Sequence, residues 1–126
     1  MRRDYVGLWS PAIGAEHLAC RESAALFDES SFAKLEVTGP GAAEFLERLC
    51  DNRVAREVGR ITYTQMLNRR GGIECDFTVT RVEDELFSIV TGTAFGNHDL
   101  AWIRSHLPAA GSADVRLVDV TSQSAC

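Results

Sequence analysis

Apolar and polar residues alternate at period two through Ile61–Leu67 (ITYTQML) and again through Ile73–Thr80 (IECDFTVT), with Arg70-Gly71-Gly72 between them. β-Branched and aromatic residues at that spacing around a glycine-rich break predict a β-hairpin. A turn over Arg69–Gly72 places Asn68 opposite Ile73, Gln65 opposite Asp76 and Tyr63 opposite Thr78. Ile61, Tyr63, Gln65, Asp76, Thr78 and Thr80 then share one face. Cys75, Phe77 and Val79 take the other, more apolar face, the better candidate for the core. A third run, Leu86–Thr91 (LFSIVT), follows the acidic turn Glu83-Asp84-Glu85 and completes a three-stranded meander. An odd loop puts Ser88, Val90 and Gly92 beside Thr80, Thr78 and Asp76, whereas an even loop puts Phe87, Ile89 and Thr91 there. Both registers stay open, because a slip of one residue exchanges the faces.

The other elements follow from the same patterning. Residues 1–14 read as an extended lead-in with aromatic anchors, and 15–25 favour a helix. Leu35 and Val37 alternate against Lys34, Glu36 and Thr38, which predicts a half-buried strand. Gly39-Pro40 ends that strand and opens a helix in which Ala42, Phe45, Leu46 and Leu49 form one stripe. A loop over 54–60 leads to the meander. Leu100, Ile103 and Leu107 mark a helix over 94–107 that stops at Pro108. A linker over 109–113 precedes an alternating strand over 114–121. The order helix, strand, helix, three strands, helix, strand predicts an α+β fold with a mainly antiparallel sheet and about three helices.

The chain has 126 residues, 45% of them apolar and 25% charged, which suits one domain or a large part of one. Thirteen basic and 18 acidic residues give a formal charge of −5. That balance argues against nucleic-acid and anionic-membrane partners, while leaving room for local basic pockets. No segment approaches the roughly 20 apolar residues that cross a bilayer. Cys20, Cys50, Cys75 and Cys126 lack C-x-x-C spacing and no secretory leader opens the chain, so a reducing compartment is expected.

Candidate chemistry is sparse. His17, His98 and His106 have neither i, i+4 pairing nor cysteine partners in sequence, and no metal site is predicted. Gly39-Pro40-Gly41 lacks the rest of a phosphate-binding pattern and reads as a helix start. Ser30, Ser31 and the cysteines are linked to no base by spacing. Asp76 stands apart as a lone carboxylate inside a strand, where aspartate is disfavoured.

Beyond these local features, the succession EHLACR (16–21), ALFDESSFAKLEVTGPGA (25–42), FLxxLCDN (45–52), VGRITYTQMLNRRGGIECDFTVTR (58–81) and FSIVTGTA (87–94) resembles the folate-binding aminomethyltransferase (glycine-cleavage T-protein) family. More narrowly it resembles the C-terminal folate module of dimethylglycine and sarcosine dehydrogenases. The resemblance runs from about Tyr5 to Thr121 and implies a tetrahydrofolate-dependent one-carbon transfer module. It accepts a one-carbon unit from an iminium or aminomethyl donor. Asp76 is then the catalytic carboxylate facing the folate amines, and Phe32, Tyr63, Asp76, Thr78, Thr80, Val90 and Gly92 are the cofactor-binding positions.

Two departures qualify the match. Gly92 stands where the family commonly carries an asparagine that grips the pterin, and the chain stops before the family's remaining strands and further domain. The expectation is therefore an N-terminal part of an aminomethyltransferase-like folate domain spanning 1–126. No FAD site is expected in this chain; FAD would belong to an amine-oxidising flavin domain or subunit acting as partner. An uncovered strand edge over 114–121 and the stripe Leu100, Ile103, Leu107 would favour self-association or a hetero-complex. The expected location is cytoplasmic in a bacterium and the mitochondrial matrix in a eukaryote. The alternative expectation is a non-catalytic folate-binding or regulatory interaction domain, and a third is a scaffold without a ligand.

Overall fold

The computed structural model describes residues 10–109 and 114–123. The first nine residues of the expected lead-in, most of the expected 109–113 linker and Cys126 lie outside them. The elements are α1 (Pro11–Glu22), β1 (Ala33–Thr38), α2 (Ala42–Leu49), β2 (Ile61–Leu67), β3 (Ile73–Glu83), β4 (Leu86–Thr91), α3 (Gly96–Ser105) and β5 (Arg116–Asp119), with a single 3-10 turn, Thr93–Phe95, before α3. The strands form one antiparallel sheet in the order β2-β3-β4-β1-β5. The fold is thus α+β, with the expected meander at one side of the sheet.

Register decides which side chains meet. Gln65 pairs with Asp76 and Tyr63 with Thr78, as the hairpin pattern predicts. The turn itself differs: Leu67, not Asn68, pairs with Ile73, because the register shifts after Met66. Asn68 instead organises the loop. Its Oδ1 accepts the Arg70 and Gly72 amides at 2.9 and 3.0 Å, its Nδ2 donates to Glu74 at 2.8 Å, and Gly71 supplies φ +79°. Between β3 and β4 an irregularity falls between Arg81 and Glu83, and Thr78 pairs with Val90 and Thr80 with Ser88. Of the two registers open from sequence, the structure takes the one that places Ser88 and Val90 on the Asp76 face.

The sheet has a closed side and an open side. Leu35, Val37, Met66, Cys75, Phe77, Val79, Phe87 and Ile89 are buried on the closed side, packed with Ala42, Phe45 and Leu46 of α2 and Ile103 of α3. Burial of side chains this size contributes roughly 1.5–3 kcal/mol each, which makes this layer the source of stability. Leu100 and Leu107 pack against the same cluster. The apolar stripe of α3 is therefore covered by the chain's own sheet, contrary to the expectation that it stays bare. The strand after it is shorter than expected and forms a sheet edge on β1.

Three further expectations change. Residues 11–14 are helical rather than extended, because Ser10 sits extended at φ −74° and ψ 137°, its hydroxyl accepts the Ala12 amide, and Pro11 occupies the first helical turn. That start moves the helix upstream of the expected 15–25. The helix expected over 94–107 begins as the 3-10 turn and ends at Ser105. Lys34 alternates outward in sequence yet is only 4% exposed, because its ammonium folds back on the Ser30 and Phe32 carbonyls at 2.9 and 3.0 Å. α1 buries none of its residues.

Candidate functional site on the open sheet face

The pairings Tyr63–Thr78, Thr78–Val90 and Val90–Lys34 run one row of side chains across four strands. A second row contains Ile61, Thr80, Ser88, Glu36 and Val118. Asp76 lies beside the first row, next to Gln65. α2 and α3 pack on the other side, so neither covers this face. Asp76 is exposed, Tyr63 is 60% exposed, and Thr78, Thr80 and Val90 are half-buried. The fold therefore brings Tyr63, Asp76, Thr78, Thr80 and Val90 together. Phe32, 37% exposed, lies just before β1 and beyond the Lys34 end of the first row.

Tyr63 and Asp76 are coupled directly. The Asp76 carboxylate beside the phenol, followed by desolvation, raises the Tyr63 pKa above its ordinary value. The phenol thus stays protonated through neutral pH, with its O–H available to donate. An exposed carboxylate on a strand keeps its hydration, and one fixed donor limits its rotamers. The arrangement supplies an oriented negative charge on a surface that is part apolar and part hydroxyl-lined.

Gly92 meets the site at the end of β4. It lines a cleft of roughly 480 Å³ with Ile73, Glu74, Asp76, Phe95 and Asp99. At φ −58° and ψ 141° its backbone suits any residue, and an added Cβ would meet only Phe95 Cδ2, at 3.5 Å. The missing side chain therefore widens the cleft beside Asp76 and is not demanded by the backbone.

Sequence patterning passed over Asp99, which is 1% exposed in the first turn of α3. Its Oδ2 accepts the Thr91 hydroxyl at 2.7 Å, its Oδ1 lies 3.1 Å from His98 Nδ1, and the Cys75 sulfur lies within 4.8 Å of it. Burial, then the Asp99 charge, pushes the Cys75 pKa up. One donor atom each from Cys75, His98 and Asp99 lies within 4.8 Å of the others, a set with the chemistry of metal ligands that no spacing rule had grouped. A signal for this cluster was present only in the polar Asp99 at the start of an apolar stripe.

The GCVT N-terminal domain family matches residues 2–126. The chain belongs to that family. It is 40% identical over 104 residues to an aminomethyltransferase of Bordetella petrii, covering 81% of this chain and 28% of the relative. It is 42% identical over 83 residues to 4-methylaminobutanoate oxidase (formaldehyde-forming) of Paenarthrobacter nicotinovorans, covering 66% and 10%. It is 35% identical over 115 residues to the mitochondrial pyruvate dehydrogenase phosphatase regulatory subunit of Mus musculus, covering 90% and 13%. Among solved structures, the glycine cleavage system aminomethyltransferase T of Bartonella henselae matches with a TM-score of 0.67 at 27% identity, over 75% of this chain and 26% of that one. The chain spans between about a tenth and three tenths of the length of these relatives.

Proposed function

We propose that this GCVT-type chain binds reduced folate on the open sheet face and serves as the folate-side part of a one-carbon transfer module. The observation that carries the reading is the Tyr63–Asp76 pair, displayed on the face opposite α2 and α3 beside half-buried Thr78, Thr80 and Val90. This surface fits a flat, partly polar ring system: Val90 offers apolar contact, the two threonines offer hydroxyls, and the Gly92 cleft offers space next to the carboxylate. Bound tetrahydrofolate would supply the amines that take up a one-carbon unit. Asp76 orients that end of the ligand and stabilises the positive charge that develops there, and Tyr63 holds Asp76 in place. The oxidase relative supports an amine-oxidising flavoprotein as the source of the unit, of dimethylglycine or sarcosine dehydrogenase type. FAD would then sit in that other domain or subunit.

The decisive experiment is Asp76→Asn. The exchange is near-isosteric at an exposed position, so the fold should survive with a stability change within about 0.5 kcal/mol. Folate-dependent transfer in the presence of an amine-oxidising partner should fall on the order of 10²- to 10³-fold, as when a positioned charge-stabilising group is lost. Unchanged transfer by the folded variant would end the assignment.

A second reading has its own support. The regulatory-subunit relative covers 90% of the chain, and Gly92 removes the side chain that the family commonly places at the pterin. A non-catalytic folate-binding or regulatory domain would bind reduced folate in calorimetry yet form no methylene-tetrahydrofolate with any amine-oxidising partner.

A further inference from the structure

α3 meets β3 where Cys75 is buried on the strand and His98 and Asp99 stand in the first turn of the helix. Cys75 is 2% exposed and Asp99 1%, whereas the His98 side chain is half exposed. Their donor atoms, one thiol sulfur, one imidazole nitrogen and one carboxylate oxygen, all lie within 4.8 Å of one another. Tetrahedral zinc holds such atoms about 3.5 Å apart, so shifts of about 1 Å, within reach of the half-exposed imidazole, would close the set on an ion.

The surroundings orient these donors. The Thr91 hydroxyl occupies Asp99 Oδ2 at 2.7 Å, which leaves Oδ1 to His98 Nδ1 at 3.1 Å. The other ring nitrogen, Nε2, lies 3.7 Å from Glu74 Oε2, and Asn68 holds the second Glu74 oxygen at 2.8 Å. A carboxylate behind a histidine fixes its tautomer and leaves the opposite nitrogen to a cation.

Charge points the same way. Among the described residues no lysine or arginine forms an ion pair with Asp99; its partner is His98, charged only when protonated. The amide end of α3 compensates about half a charge. A divalent ion with one thiolate and one carboxylate is neutral as a set, which suits donors this buried. Asp99 also lines the cleft of roughly 480 Å³ beside Gly92, which gives an ion a way in and a water a place as fourth ligand.

We propose that the Cys75 thiolate, His98 Nδ1 and the Asp99 carboxylate form a binding site for a divalent transition-metal ion, with Zn²⁺ favoured by the mixed sulfur, nitrogen and oxygen set. On binding, the thiol gives its proton to solvent and the sulfur donates to the metal. The ion would tie β3 to the start of α3 on the closed side of the sheet, whether or not folate binds the open face.

The test titrates the full, chelator-treated chain with Co²⁺ and Zn²⁺. Co²⁺ should bind one to one and give the near-ultraviolet band of thiolate-to-cobalt charge transfer, and calorimetry should read Zn²⁺ binding at a Kd of about 1 μM or tighter. His98→Ala, at a half-exposed position where the fold should survive, should weaken both metals by about 100-fold, since even outer-shell losses cost about 10–100-fold. Cys75→Ser should lose the charge-transfer band, and Cys20→Ser, which alters the exposed cysteine of α1, should change nothing. No binding at about 100 μM metal, binding without the thiolate band, or unchanged affinity in His98→Ala would overturn the site. Loss of the band in Cys20→Ser would overturn it as well, by placing the ion on α1. Should Cys75→Ser fail to fold, His98→Ala decides alone.

Discussion

Replacing Thr91 by valine removes one oxygen from a polar contact buried at both ends. Thr91 lies on the closed side of β4, 2% exposed, paired with Phe77 on one side and Ala33 on the other. Its hydroxyl donates to Asp99 Oδ2 at 2.7 Å. Valine keeps the β-branched shape and strand preference, so packing is nearly unchanged and the difference isolates the hydrogen bond. A bond to a charged group contributes about 1.5–3 kcal/mol, and here the partner left behind is 1% exposed and cannot turn to water. The His98 and Cys75 contacts remain, which keeps the loss from being larger. For a domain this size each kcal/mol moves the melting point by about 3–6 °C, so a fall of roughly 5–15 °C is expected. Thermal and urea unfolding of Thr91→Val, with Thr91→Ser as the hydroxyl-retaining control, measures it. Combining Thr91→Val with Asp99→Asn should give less than the sum of the single losses, since both remove the same bond. A valine variant within 0.5 kcal/mol of the parent, or strict additivity with Asp99→Asn, would refute the view that Asp99 is held by Thr91.

Three further outcomes follow from the same coordinates. Gly39→Ala should destabilise by about 3 kcal/mol or more, because φ is +113° and the new Cβ would lie 1.8 Å from the Asp114 carbonyl oxygen, and circular dichroism melting reads the loss. Burial lifts the Cys50 thiol from its ordinary 9.0 to about 12, so the unfolded chain releases this proton first. The associated stability is complete below pH 9 and is lost as pH rises towards 12, and urea midpoints across that window should fall less steeply in Cys50→Ala. Gly92→Asn should fold normally, since the nearest atom to its Cβ is 3.5 Å away, and should tighten reduced-folate binding by restoring a polar side chain in the cleft. Unchanged or weaker binding by calorimetry would count against placing the ring end there.

Most of the fold was legible because alternation and turn chemistry carry it. The pairing of Tyr63 with Thr78 and of Gln65 with Asp76 follows from period two and a glycine turn, and it survived a bulge at Leu67 that the pattern did not foresee. The β3–β4 register was not legible, since it turned on an irregularity near Val82 that leaves no compositional mark. Lys34 defied its alternating pattern because carbonyls of the preceding turn, distant from any periodic signal, satisfy its ammonium. The Asp99 cluster and the contact of Arg81 with the 50–60 loop were missed for a related reason. Cys75 and Asp99 in one case, and Arg56 and Arg81 in the other, lie far apart in sequence and meet only through the fold. The resemblance to a folate-binding family pointed to the Asp76 face and was silent on both.

Asp76 and Asp99 line one cleft, yet their surroundings assign them opposite tasks. Asp99 lies on the helix-covered side, where an ionised group is costly unless donors surround it, and Thr91, Cys75 and His98 make contact there. A group so tightly held has little freedom to follow an organic ligand. Asp76 lies on the open side, exposed to water, with the Tyr63 phenol beside it. Its carboxylate can exchange water for an incoming cationic centre at small cost, and the phenol limits the entropy lost in doing so. The alternation of β3 is what separates them: Cys75 points in to Asp99, the next residue points out to the open face, and a slip of one position would bury the Asp76 carboxylate and expose the thiol.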